Sequence, residues 1–151
     1  QYDHSIRVPF VVVGPGVPKG VTDPTPIYLQ DVMPTTLELA GAQQPKHVFF
    51  KSLLSRLGQT KSDASSRPYE SIYGSYLTLQ RSITHDGWKL IIYPDAKVLR
   101  LYHLQHDPHE TIDLAGQPDH AEQMTQLFDR FVALQRELKD PIDVTHLRPS
   151  K

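Results

Sequence analysis

Three groups of residues in this chain have the types and spacing to do chemistry. His103, His106 and His109, interleaved with Asp107 and Glu110, recur every third residue. On a helix that spacing puts side chains on one face, where they could grip a metal ion. Asp107-Pro108 argues for a turn instead, because proline disfavours helical geometry in the residue before it. A turn scatters the imidazoles, so exposed loop histidines are the expectation. A hydrolytic triad is the second possibility. Eight histidines and seventeen acidic residues make chance pairings common, but there is no Gly-x-Ser-x-Gly elbow. The third group is Tyr2-Asp3-His4-Ser5-Ile6-Arg7-Val8-Pro9, an ionisable cluster directly before an apolar run. In an α/β sheet, that is where a loop delivers side chains to a site. His4 is open to a site role or a structural one; Asp3 and Arg7 are expected to pair and tie the loop down.

Composition narrows what such groups could serve. The chain has 151 residues, the size of one ordinary domain, with a net charge of -1. That balance excludes a general nucleic-acid or anionic-membrane binder, which needs excess basic side chains to meet phosphates. No window approaches the ~20 apolar residues of a membrane span. With no cysteine, a disulfide framework, a thiolate nucleophile and a cysteine metal site are excluded. Gln1 is not an initiator methionine and no signal peptide follows it. The expectation is a piece of a longer protein.

The elements that must position these groups divide at a polar stretch. Residues 6–13, IRVPFVVV, read as a buried strand, with Pro9 confining it to an edge there. Gly14-Pro15-Gly16 fits a plain turn rather than a phosphate loop. In residues 29–41, Leu29, Val32, Met33, Leu37 and Ala40 form a helical stripe expected to face inward. Asp31 is the expected N-cap, which makes Pro34 harmless in the first turn, and Gly41 the residue after the C-cap. Residues 42–68 carry Gly58, Lys61, Ser62, Asp63, Ser65 and Ser66 and read as an exposed linker. The domain boundary is set there: 1–66 as one part, 67–151 as a small terminal subdomain. Beyond it, 71–83, 88–93 and 98–104 are strand-like. Asp86-Gly87 and Pro94-Asp95-Ala96 connect them, giving an antiparallel meander. A helix from Pro118 to about residue 139, with Met124, Leu127, Phe128, Phe131, Leu134 and Leu138 in one stripe, is expected to cover one side. The tail beyond Pro141 is expected to be poorly ordered.

The same residues resemble type I sulfatases. Tyr2-Asp3-His4-Ser5-Ile6-Arg7-Val8-Pro9 is similar to their Y-[DE]-x-S-x-R-V-P segment. Asp31-Val32-Met33-Pro34-Thr35-Thr36-Leu37-Glu38-Leu39-Ala40-Gly41 is similar to their D-x-x-P-T-x-L-x-L-A-G helix. Arg81-Ser82-Ile83, Trp88-Lys89-Leu90-Ile91, Leu101-Tyr102-His103-Leu104, Asp107-Pro108, Glu110 and Asp113-Leu114-Ala115 resemble their closing motifs, in the same order.

The resemblance implies an α/β fold: the end of an alkaline-phosphatase-like mixed-sheet domain, then a small antiparallel sheet packed on a C-terminal helix. It implies a sulfuric ester hydrolase whose formylglycine nucleophile, calcium or other divalent cation, and catalytic lysine lie on upstream chain. No catalytic residue, metal ligand or cofactor is therefore expected among these residues. It also implies that His4 lines the substrate pocket and that Tyr76, Arg81 and Trp88 approach it from the small subdomain, with core or surface roles as the alternative. The implied partner is a sulfated small molecule or glycan, in the periplasm or outside the cell ahead of the cytoplasm. A phosphoester or phosphonate hydrolase of the same superfamily is the nearest rival, and a non-catalytic binding or assembly module the next. An unpaired edge of the strand at 6–13 would invite a homodimer.

Overall fold

Asp86 and Gly87 both take positive φ, 45° and 81°. They fold β2 (Gln80–His85) back onto β3 (Trp88–Tyr93). Such a turn matches the right-handed twist of its strands only when both central residues adopt this backbone region. A second turn with Lys97 at φ 53° joins β3 to β4 (Val98–His103). The computed structural model describes residues 1–58 and 67–149. Its sheet is a four-stranded antiparallel meander in the order β1-β2-β3-β4, β1 being Ile72–Tyr76.

One strand was expected over 71–83; two are found. The break falls at Leu77, which holds φ 47° with 70% of its surface exposed. Nothing in the sequence marks the turn, since glycine, asparagine and proline are all missing from it. A local side-chain contact supplies what they would: Arg81 donates to the Leu77 and Gln80 carbonyls at 2.7 and 2.8 Å.

Strand pleating sends alternate side chains to opposite faces. Ile83, Leu90, Ile92 and Leu101 share one face and meet Leu127, Phe128 and Phe131 of α3 (Ala121–Glu137), with Val144 beside them. Tyr73 stacks on Phe131 at 5.3 Å. Pro118 opens the short 3₁₀ turn that leads into α3. The tail is not loose. The Gln135 side-chain amide donates to the Ile142 carbonyl at 2.7 Å, Val144 is fully buried, and Arg148 forks onto Asp129.

Two compact units result: Pro9–Glu70, and Gln1–Val8 together with Ser71–Lys151. The serine-rich part of the expected linker and the boundary placed after residue 66 lie outside the described residues. In the first unit, α2 (Val32–Leu39) follows a 3₁₀ turn at Leu29–Asp31. Gly41 and Ala42 close it by donating to the Glu38 and Leu37 carbonyls.

Two expectations fail in the first seventy residues. The face of α2 turned inward is Asp31, Pro34 and Thr35, while Leu29, Val32 and Met33 are exposed. A hydrogen-bonded aspartate, not the apolar stripe, sets the orientation. Residues 6–13 form no strand: α1 (Asp3–Ile6) is a single helical turn and 7–13 run unpaired. A strand needs ladder partners, and no strand among the described residues pairs with this segment. The edge on which a homodimer was expected is therefore not formed by residues 6–13.

Candidate functional site

The sheet face opposite α3 is occupied by the chain's first residues, and ionic chemistry holds them there. Lys89 sits between two hydrophobic residues of β3 and is fully buried. An ammonium removed from water needs paired charge, and two carboxylates supply it. Asp3 contacts its Nζ directly, and Glu110 Oε1 lies 2.8 Å away. Glu110 reaches inward from a turn at φ 54°, and its other oxygen accepts the Asp3 backbone N–H at 2.6 Å. Around this cluster Tyr2 shares its hydroxyl with Tyr102 at 3.2 Å and Tyr93 at 3.4 Å. Burial first, then the bond to Tyr2, push the Tyr93 phenol up to about 12.

The Gln1 backbone nitrogen donates to Gln80 Oε1 at 2.7 Å. Gly74 makes room for this segment, since a Cβ there would meet Gln1 Oε1 at 2.3 Å and Ser82 Oγ at 2.4 Å. The expected Asp3–Arg7 pair is thus replaced by Asp3–Lys89. A charge fixed on a buried strand outcompetes one on an exposed loop.

Arg81 lies on β2 with 4% of its surface exposed. Its Nε and Nη2 meet Asp140 at 2.5 and 3.1 Å, and the Tyr73 hydroxyl donates to the same carboxylate at 2.5 Å. Burial alone would raise the Asp140 pKa; the bonds from Arg81 and Tyr73 outweigh it and hold the carboxyl below its usual range. In the other unit, buried Asp31 does comparable work. It accepts from the Tyr28 and Lys51 backbone N–H groups at 2.9 and 3.0 Å and from the Tyr69 hydroxyl at 2.5 Å. Thr35 Oγ1 accepts from Leu53 N at 2.9 Å.

The four candidates do not converge. His4 is exposed on α1 and stacks on Tyr2 at 5.7 Å. Tyr76, half exposed, ends β1 opposite Gln80, and Arg81 lies beside it in register with Ser75. Trp88 pairs with His85 at the far end of β2, about 17 Å away at strand rise. Its side chain is on the helical face, whereas His4 belongs to the segment on the other.

The histidine group also disperses. His103 and His106 stack at 4.1 Å, Asp107 accepts from Thr111 and Ile112 backbone N–H groups, and Glu110 turns to Lys89. Among the described residues, no three His, Cys, Asp or Glu side chains are grouped to hold a metal ion. Among the described residues a Ser–His–Asp alignment occurs: Ser71 Oγ lies 3.1 Å from His85 Nδ1, and His85 Nε2 lies 3.3 Å from Asp86. Register makes it a cross-strand contact at the end of the sheet, and the Asp86 side chain is 61% exposed, so water screens its charge.

Sequence reasoning missed the Lys89–Asp3–Glu110 cluster. The available signal was a lysine inside the apolar run Trp88-Lys89-Leu90-Ile91-Ile92, which demands a buried counter-charge. The geometry offers fixed walls around buried ion pairs. Its cations are already neutralised rather than aimed at an open space.

Known proteins align with this picture. The sequence profile of the family described as N-sulphoglucosamine sulphohydrolase, C-terminal, matches residues 1–137. Arylsulfatase K of Xenopus laevis is 29% identical over 137 residues, covering 82% of this chain and 25% of its own. The Delta 4,5-hexuronate-2-O-sulfatase of Bacteroides thetaiotaomicron is 30% identical over 132 residues, covering 80% and 26%. Among solved structures, a phosphonate monoester hydrolase from Silicibacter pomeroyi superposes with a TM-score of 0.68 at 17% identity, over 92% of this chain and 31% of that one. The chain spans about a quarter of the length of the curated relatives it matches.

Proposed function

Because the chain belongs to the N-sulphoglucosamine sulphohydrolase C-terminal family, we propose that it is the carboxy-terminal part of an enzyme that hydrolyses sulfate esters. One observation carries the reading. Motif residues that relate this chain to sulfatases meet in space as structural ties: Asp3, Lys89 and Glu110 in one cluster, Arg81 on Asp140, and Asp31 on the backbone that follows α2.

Sulfate-ester hydrolysis needs an activated oxygen nucleophile and positive charge beside the sulfuryl oxygens. Here the buried cations are spent on carboxylates. His4 and Tyr76 are exposed and could wall a substrate cleft. Arg81 acts one step back, holding the Leu77 turn beside Tyr76. Formylglycine and calcium, which the family implies, do not fit these residues. The buried carboxylates of Glu110 and Asp31 and the half-buried ones of Asp3 and Asp140 are engaged by Lys89, backbone N–H groups, Tyr69, Tyr73 and Arg81. The substrate class proposed is a sulfated saccharide, which the name of the Bacteroides relative supports. The enzyme is placed in the periplasm or outside the cell.

The exposed apolar residues support a larger whole. Val11 and Val13 are 83% and 92% exposed, and the relatives carry about three further quarters of chain able to cover them. A self-sufficient binding module would bury such residues itself. The rival phosphonate or phosphoester hydrolase rests on the Silicibacter likeness; a C/S-x-P-x-R motif upstream would favour sulfatase chemistry and a bare threonine the rival.

An aryl sulfate assay with added calcium tests the proposal. The 151-residue chain should give no turnover, and the longer polypeptide containing it should. Turnover by the chain alone, or a longer polypeptide that cleaves phosphonates but not sulfates, would overturn it.

A further inference from the structure

The sheet unit encloses its core but gathers three large apolar side chains in solvent at one turn. Tyr76, Leu77 and Leu79 are about half exposed or more. The turn closes through the Leu79 N–H on the Tyr76 carbonyl at 3.1 Å, with Leu77 at φ 47°. Leucine in the left-handed backbone region is costly, and such a conformation persists only where its surroundings fix it. A buried apparatus does so here. Arg81 Nη1 holds the Leu77 and Gln80 carbonyls, and its other nitrogens bind Asp140. Asp140 in turn accepts from the Tyr73 hydroxyl and from the Ile142 backbone N–H. The result is an apolar tip held stiffly in solvent, and exposed apolar patches of this kind mark contact with other polypeptide.

The first residues of the chain meet the sheet at the foot of this tip. Tyr76 and Gln80 are cross-strand partners. By alternation they point to the face of Gly74 and Ser82 rather than that of α3, and Gln1 lies on that face. Its backbone nitrogen is 2.7 Å from Gln80 Oε1, and a Cβ on Gly74 would strike its side chain. A residue bonded to the Gln1 nitrogen therefore starts beside Gln80, next to Tyr76. The matched family is described as C-terminal, and the chain spans about a quarter of its curated relatives.

Two other occupants fit the tip less well. A saccharide needs polar groups for its hydroxyls. The two leucines supply none, and the Arg81 guanidinium is committed to Asp140 and two carbonyls. A second copy would compete with polypeptide tethered at Gln1, whose effective concentration beside the tip is on the order of millimolar for a short link.

We propose that the tip at 76–79 is a docking surface for the polypeptide that precedes Gln1, with Leu77 and Leu79 as its apolar anchors. This docking rests on the reading above that a longer chain leads into Gln1, and not on which ester that chain cleaves. It sets Tyr76 at the seam between the sheet and the upstream chain, where a wall of a substrate cleft would stand.

The test uses the longer polypeptide. With Leu77→p-benzoylphenylalanine, irradiation should join position 77 to peptides that precede Gln1, identified by mass spectrometry. Thr78, also exposed, takes the same cross-linker if the first variant does not fold. Leu77→Gly supplies an independent sign. Glycine takes positive φ without a Cβ penalty, so at a free turn the change should leave the melting temperature where it is or raise it. At a docked turn the loss of the leucine should lower it, which is the result expected. Cross-links confined to residues 1–151, cross-links to a second copy, no cross-link from either position, or a melting temperature that holds or rises would each overturn the proposal. A longer polypeptide that cleaves sulfates but gives any of these results leaves the sulfatase reading standing. One that cleaves only phosphonates yet cross-links upstream of Gln1 leaves the docking standing, so the two proposals fail separately.

Discussion

The two units of this molecule solve the problem of burial in opposite ways. The sheet unit closes on itself: Ile83, Leu90, Ile92, Leu101, Phe131 and Val144 have no exposed surface, and the charges brought inside are paired. The Pro9–Glu70 unit buries Leu53, Leu54 and Tyr69 around the Asp31 hub, yet leaves Val11, Val13, Val21, Leu29 and Leu39 more than half exposed. Each unit uses a buried ion or aspartate to fix loops, but among the described residues the larger apolar core lies in the sheet unit. The contrast separates what this chain builds for itself from what it offers to other polypeptide.

Substitutions can break that contrast or sharpen it. The largest effect should come from Lys89→Met, which leaves two carboxylates facing one another beneath the first residues. About 3–5 kcal/mol of stability should be lost, read by urea melts on the fluorescence of Trp88, the sole tryptophan. A loss under about 1 kcal/mol would reduce the cluster to the worth of a surface pair. Asp140→Asn comes next. Asp140 has a folded pKa below its ordinary 3.8, so its stabilising share is present above that value and fades as pH falls through the folded one. The variant should be about 1–3 kcal/mol less stable at pH 7, with the gap closing below about pH 4. A gap of constant size across that range would contradict the assignment.

In the other unit, Tyr69→Phe removes one of the donors on Asp31 and should cost about 1–2 kcal/mol. Hydrogen exchange at the Lys51 and Leu53 amides should quicken, while Trp88 fluorescence holds. The smallest effect should be Val13→Ser. An exposed valine loses within about 0.5 kcal/mol in the chain alone, but the same change in the longer polypeptide should lower its melting temperature measurably. A clear loss in the chain alone would mean that Val13 is already covered.

Much of the sheet unit was legible because its signals are local. Asp86-Gly87 announces its hairpin, Pro118 its helix start, and the Leu127–Phe131 stripe its buried face. The Leu77 turn was not, because a guanidinium from Arg81 substitutes there for turn chemistry. Inverted burial of α2 escaped for a related reason: an apolar stripe says which face prefers to be covered, not whether the chain shown contains the cover. The ionic cluster was hidden by distance. Asp3 and Lys89 are 86 positions apart, and Asp3 and Glu110 107, while hydrophobic periodicity speaks only of neighbours on one element. Of the candidate site, His4 and Tyr76 could be placed on exposed ground, but sequence alone could not show that Arg81 is consumed by Asp140 or that Trp88 faces the other way.

The docking of residues 1–8 on a sheet made much later in the chain imposes an order on biosynthesis. Asp3 leaves the ribosome ahead of its amide partner Glu110, which follows 107 positions behind. At ordinary elongation rates of 5–20 residues per second, that is a wait of roughly 5–20 s. Until then the Asp3 amide lacks its acceptor, and of its two carboxylates Lys89 can meet only Asp3. The Asp3–Lys89–Glu110 cluster is therefore completed only after translation has passed the 107–110 turn.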